Sequence, residues 1–244
     1  MANRKARTFA AILAIVALTA SPAIALDGEV LIDQAKAAAG GVTPDDSPGF
    51  PVTLSRSGKY KLTGNLKPPV DRNAVVVTAD NVTIDLNGFR MLSGKIGVNA
   101  PHADGLTVMN GTIANFSSHG IATRAFAIIQ DMQIADNGGA GVSLDNNGRV
   151  IRSTISGNAN GVFCLSKCLV ADNVITGSPI DSGVNLQTTA GGHLVLNNVI
   201  ANNEKFGIYA EGPTGFANNT LTGNATSVLG AVPVHPNYCS PACP

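Results

Sequence analysis

Apolar residues recur along this chain in two interleaved series. Gly followed by Val or Ile occurs at Gly97-Val98, Gly120-Ile121, Gly141-Val142, Gly161-Val162, Gly183-Val184 and Gly207-Ile208, at spacings of 23, 21, 20, 22 and 24 residues. A large aliphatic residue occurs at Ile113, Ile134, Ile155, Ile175, Ile200 and Leu221, at spacings of 21, 21, 20, 25 and 21. The series stay in phase over six turns, which identifies a repeat of about 21 residues. Each interval holds β-branched apolar residues, then Asn, Gly or Asp, then more β-branched residues. That is room for two or three short strands and none for a helix. Each repeat therefore reads as one coil of a parallel β-solenoid, its neighbours stacked about 4.8 Å away. Leucine-rich repeats lack a match, because the Leu-x-x-Leu-x-Leu signature is missing, and a propeller blade needs about 40 residues.

Polar positions follow the same period. Asn173, Asn198 and Asn219 lie two residues before the aliphatic series, and Asn137, Asn158, Asn203 and Asn224 lie three after it. Stacking brings such positions together, so their amides can bond up and down a ladder, and Asn tolerates the left-handed backbone of a sharp corner. The ends differ. Val30, Leu31, Gln34, Ala35 and Ala38 follow a helical period that Gly40-Gly41 stops, which predicts a short capping helix between Leu26 and Gly41. The expected plan is a leader over residues 1–25, cap helix and loop over 26–49, solenoid over 50–230, and an irregular Pro- and Cys-containing cover over 231–244.

Composition sharpens this picture. The chain of 244 residues has 27 Gly and 23 Asn, about a fifth of the total. Only 13% of residues are charged, the aromatic share is 5%, and Trp is absent. An apolar share of 44% excludes a disordered chain. Equal numbers of basic and acidic residues, 16 each, exclude an electrostatic nucleic-acid binder. Arg4, Lys5 and Arg7 precede an apolar run from Phe9 to Ala20 and the small-x-small triplet Ala23-Ile24-Ala25. Those are the parts of a secretory signal. The run is too short for a membrane span, which needs roughly 20 residues. Its removal leaves 13 basic against 16 acidic residues, no membrane span, and a secreted or periplasmic chain. Cys164 and Cys168, then Cys239 and Cys243, share one spacing. An oxidising compartment favours disulfides, with two local bridges, a tail-to-body staple and a four-thiolate zinc site as the alternatives.

The stretch Asn81-Val-Thr-Ile-Asp-Leu-Asn-Gly88, the turn Asn110-Gly-Thr-Ile113 and the Gly-Ile/Val coils resemble secreted bacterial parallel β-helix proteins of the pectate-lyase-like superfamily. The resemblance covers roughly residues 50–230 and implies an all-β, right-handed, single-stranded parallel β-helix of about seven to nine coils. It also implies acidic polysaccharides as the substrate class of enzyme members, and calcium as a cofactor by that analogy alone. The pectate-lyase acidic cluster has no counterpart here, because the Asp residues are dispersed. Ser118-His119-Gly120 matches one part of the polygalacturonase pattern, without the upstream carboxylates or the downstream Arg-Ile-Lys. Gly120 is already a repeat glycine, so His119 is not carried over as catalytic.

Alternation along the strands gives a candidate surface. If the Val or Ile after each repeat Gly points inward, then Asn99, Ala122, Ser143, Phe163, Asn185 and Tyr209 point outward. Pro101, Arg124, Asp145, Leu165, Gln187 and Glu211 form a second outward column. Arg124 should lie beside Asp145 and Gln187 beside Glu211, with Phe163 and Tyr209 alongside. Aromatic faces with amides and carboxylates suit a polysaccharide or cell-surface glycan. Asp145 and Glu211 lie three coils apart, about 14 Å, whereas glycosidase carboxylate pairs stay within roughly 10 Å. The expected function is a carbohydrate-binding or surface-interaction module. A divergent polysaccharide lyase or hydrolase and a purely structural solenoid are the rivals.

Overall fold

The structure, a computed structural model, describes residues 28–187 and 191–243. The signal segment expected over residues 1–25 lies outside them. Among the described residues, nine coils stack into a parallel β-solenoid with three faces. The first face is a nine-stranded sheet that runs from Val52–Leu54 to Thr226–Leu229. The second and third faces belong to one sheet bent lengthwise. In coils three and four the strands Thr107–Ala114 and Ile128–Ala135 run unbroken round that bend; later coils divide there, as at Arg149–Ile151 and Thr154–Ser156. Each coil pairs with the corresponding segments of the next at a separation of about one repeat, for example Ile134 with Ile155 and Ile155 with Ile175.

The interior is a set of columns. On the first face Val98, Ile121, Val142, Val162, Val184 and Ile208 stack, all fully buried. On the third face Leu66, Met91, Ile113, Ile134, Ile155, Ile175, Ile200 and Leu221 do the same. Burying one such side chain stabilises by about 1.5–3 kcal/mol. The two periodic series of the sequence are the two sides of one contact. A Cβ added at Gly141 would lie 2.9 Å from Ile155 Cγ2 of its own coil and 2.9 Å from the Gly161 carbonyl of the next. Gly97, Gly120 and Gly207 meet the same pair of obstacles. Glycine is therefore required at this column by space, because the aliphatic side chain fills the position a Cβ would take.

Corners are built from two consecutive residues with separate tasks. The first takes the left-handed backbone: Asp136, Arg152, Asp172, Asn197, Asn202 and Asn218 have φ between 49° and 59°. The second turns its side chain inward and bonds to the next coil. Asn173 donates from its backbone N–H and its Nδ2 to Asn198 Oδ1 at 2.9 and 3.0 Å, and Asn198 does the same to Asn219. Their Nδ2 groups also donate to the buried carbonyls of Val150 and Val170. A second ladder joins Asn137 to Asn158 and Asn203 to Asn224 at another corner. The sequence suggested that one Asn does both jobs; the structure divides them between neighbours. Asp131, Arg152 and Asp172 stand on the outer edge of one corner, where Arg152 donates to both carboxylate oxygens of Asp131 at 2.8 and 2.7 Å.

The ends differ from expectation. Val30 and Leu31 are not helical. Val30–Ile32 forms a strand paired with Tyr60–Leu62, adding one more rung to the second face. The helix is confined to Gln34–Ala39, because Asp33 is extended and its Oδ1 accepts the Lys36 N–H at 2.7 Å, which makes it the N-cap. The β-branched run before that cap lies along an unpaired sheet edge and completes it. The tail is also more regular than expected. Val232–Pro233 and Tyr238–Ser240 form the second and third sides of coil nine. Asn237 extends the ladder by accepting from Asn219, and Cys239 follows Leu221 in the aliphatic column. The disulfides are local, Cys164–Cys168 and Cys239–Cys243. The pairs lie in coils six and nine, so neither the four-thiolate zinc site nor the tail-to-body staple forms.

Two histidines serve the interior. His119 Nδ1 accepts the Ala140 N–H of the next coil at 3.0 Å, a structural use of the residue in the Ser118-His119-Gly120 triplet. His193 is 3% exposed, and its Nδ1 accepts the Cys168 N–H at 3.3 Å. Burial pushes both imidazoles below their ordinary pKa. As the pH falls below about 6.5, the unfolded chain takes up these protons before the folded chain does. The melting temperature should therefore fall as the pH drops from about 6.5 toward 5, and a His119→Gln/His193→Gln variant should show a flatter profile over that range. Gly141→Ala should lower stability by about 1–3 kcal/mol in guanidinium unfolding, because backbone must move to admit the methyl group. Asn198→Ala should lower it by about 1–3 kcal/mol for each buried group left unpaired, read in the same experiment.

Candidate functional site

The outer surface of the first face carries the residues singled out from the sequence. Alternation sends every second side chain of each strand outward, and parallel register aligns them along the axis. Asn99, Ala122, Ser143, Phe163, Asn185 and Tyr209 form one continuous column. Arg124 and Asp145 belong to a second column, since the residues on either side of them pair as Thr123 with Leu144 and Ala125 with Asn146. Gln187 and Glu211 continue it, their N–H groups donating to the carbonyls of Cys164 and Leu186 in the preceding coils.

The structure brings four of the six candidates together over coils six to eight. Asn185 sits between Phe163 and Tyr209 in the column and is 6% exposed. Gln187 Nε2 donates to Asn185 Oδ1 at 2.6 Å. Asn185 Nδ2 donates to Asp181 Oδ2 at 3.3 Å and to Asn160 Oδ1 at 3.4 Å. Tyr209 Oη donates to Glu211 Oε1 at 3.5 Å. Phe206 lies against Tyr209, with ring centroids 5.4 Å apart and planes tilted by 38°. Asp181 also accepts the Ser182 hydroxyl at 3.2 Å and faces Lys205 Nζ at 3.6 Å. The result is a tied row of amides flanked by half-buried aromatic rings, with the carboxylates of Asp181 and Glu211 and the Lys205 ammonium at its border.

Arg124 and Asp145 stand apart from this group, in coils four and five. Register places them side by side, yet the Arg124 guanidinium turns to Asp104 of coil three, at 3.5 Å. Asp104 is held there by two backbone contacts: its N–H donates to Asp80, and its Oδ1 accepts the Ala125 N–H. Gln187 likewise bonds within its own strand and not to Glu211. Asn160, Asp181, Lys205 and Phe206 were not singled out from the sequence. A signal for them existed, because the intervals Ile175–Ile200 and Gly183–Gly207 are the longest of their series. Most of the added length falls between Leu186 and His193, and the segment that carries Asp181, Ile175 to Gly183, is one residue longer than Ile200 to Gly207.

The geometry suits adhesion to a flat or extended ligand. Rings offer apolar faces, and the amides and carboxylates offer donors and acceptors on both sides of them. Depressions lined by His235, Asn237 and Cys243 at one end, and by Asp45, Phe50 and Arg72 at the other, lie off this surface. Asp145 and Glu211 are separated by three coil spacings, about 14 Å, which keeps them from acting as a glycosidase pair.

Among the described residues no helix is long and apolar enough to cross a membrane. No protein-family model matches the chain, and no curated protein matches it. Among solved structures, the crystal structure of the Dettilon tailspike protein (gp208) is similar at 13% identity and a TM-score of 0.32. The match covers 76% of this chain and 53% of the tailspike, so the chain spans about half the length of that protein.

Proposed function

We propose that this is an exported, pectate-lyase-like β-helix protein whose first face holds a polysaccharide or cell-surface glycan without cleaving it. The observation that carries this reading is the in-register arrangement of Phe163, Asn185 and Tyr209, with Gln187 bonded to the central amide at 2.6 Å. Two aromatic rings about 10 Å apart along the axis bracket a row of amides. A glycan running along the axis meets Phe163, Gln187 and Tyr209 in three successive coils, with the buried Asn185 holding Gln187 in place. The amide row is held rigid by its own hydrogen bonds, so little side-chain freedom is lost when a ligand binds. The basic-rich start, apolar run and small-x-small triplet of residues 1–25, together with two disulfides, support an extracytoplasmic site of action.

A glycan array probed with the chain lacking residues 1–25, followed by calorimetry on the best hit, tests the reading. Tyr209→Ala and Gln187→Ala should each weaken binding roughly tenfold, while Arg124→Ala, outside the cluster, should leave it unchanged. No new reducing ends or unsaturated sugars should appear during prolonged incubation. Released product, or binding indifferent to both cluster variants, overturns the proposal.

A further inference from the structure

One interior column departs from the apolar pattern of the rest. At the corner between the first and second faces, register aligns Ala127, Gly148, Cys168, His193, Thr214 and Ala231. The end members are small. The middle three are polar or sulfur-bearing, and each is at least 97% buried. Among the described residues, His193 Nε2 and Thr214 Oγ1 have no hydrogen-bond partner. Cys164 enters the same space from the first face, fully buried. The two sulfur atoms and one ring nitrogen of His193 all lie within 4.8 Å of one another. A buried orphan donor or acceptor costs about 1–3 kcal/mol, so two of them beside a sulfur pair call for a ligand or a second state.

We infer that Cys164, Cys168 and His193 form a redox-gated site for a soft divalent cation such as Zn2+. In the oxidised chain the sulfurs are bonded to each other and the site is closed. A dithiol reductant opens it. The reductant supplies two electrons and two protons, becomes a disulfide itself, and leaves a thiol at each cysteine. The cation then displaces both thiol protons and bonds to two thiolates and one imidazole nitrogen. Two thiolates cancel the charge of a divalent ion, so the filled site is neutral and suits a buried position. Thiolate and imidazole together select zinc-like cations over calcium or magnesium. The Nδ1 lone pair, which accepts the Cys168 N–H in the closed site, is the one that turns to the cation, and Nε2 keeps the ring proton. The fourth position is left to water, and Thr214, the in-register neighbour of His193, supplies a free hydroxyl to hold it. The corner residues between the two cysteines include Leu165 and Lys167, both exposed, so one side of the site lies next to solvent-facing chain.

The test uses a Cys239→Ser/Cys243→Ser chain, so that only this cysteine pair contributes thiols. The protein is reduced with a phosphine, freed of reductant under anaerobic conditions, and titrated with Zn2+ against a chromophoric chelator. Co2+ serves as a spectroscopic probe. The reduced chain should take up about one equivalent with thiolate-to-cobalt charge-transfer absorption, and the oxidised chain none. His193→Gln should weaken uptake by at least about tenfold and alter the cobalt spectrum, and Cys168→Ser should abolish uptake. Equal uptake by oxidised and reduced chains, no uptake after reduction, or affinity unmoved by His193→Gln overturns the inference. Loss of the β-sheet circular dichroism on reduction, unrecovered with Zn2+, overturns it as well, since the site needs stacked coils.

Discussion

The backbone N–H and C=O groups of each coil point along the solenoid axis, so a coil satisfies them only by lying in register with its neighbours. Sheet faces do this by themselves. Corners do not, because a sharp bend breaks the ladder and leaves donors and acceptors facing the interior. The inward Asn side chains repair that break. Asn198 alone accepts from the backbone and side chain of Asn173 and donates to Val170 and Asn219. The chain therefore depends on one condition, that each corner amide finds its counterpart one repeat away. The glycine column enforces the same condition from the other side, since it lets the aliphatic column close against the backbone of the next coil.

Much of this was legible because stacking converts geometry into sequence period. The Gly-Val series and the Ile series give the phase of six of the nine first-face strands, and the inward columns follow by alternation. What was not legible lies where the period is not the controlling influence. Val30 to Ile32 fits a helical pattern on paper, but an open sheet edge offers a whole row of hydrogen bonds, and Asp33 caps the helix only after it. The tail has Pro and Cys in place of the usual residues, yet Asn237 and Cys239 hold the corner and core positions of their columns. The Asn columns of the sequence place the ladder and the left-handed corner on the same residues. In the structure, eight Asn stand in the ladders and another eight take the left-handed backbone.

The same distinction applies to the surface. Which residues share a column could be derived from spacing, and Phe163, Gln187, Tyr209 and Glu211 do lie together. Which partner each selects could not, because side-chain rotamers and corner residues decide it. Arg124 turns from Asp145 to Asp104, since Asp104 is already fixed by Asp80 and Ala125. Asp181 enters the cluster from the lengthened segment before Val184. Chemistry thus concentrates where a repeat is longest, next to a scaffold that repeats most strictly.

The two-residue corner also says how such a chain can change. A left-handed residue followed by an inward amide fixes the direction of the backbone at each bend, whatever the length of chain that led to it. The bend between the first and second faces has no such amide ladder and tolerates added length: Leu186 and His193 stand seven residues apart where Cys164 and Cys168 stand four apart, yet both pair in register with the next coil. Residues added inside a bend that carries an amide would shift that amide out of line and interrupt the ladder beyond it. The corners act as a gauge: variation accumulates on the outer arcs, and the axis keeps its pitch.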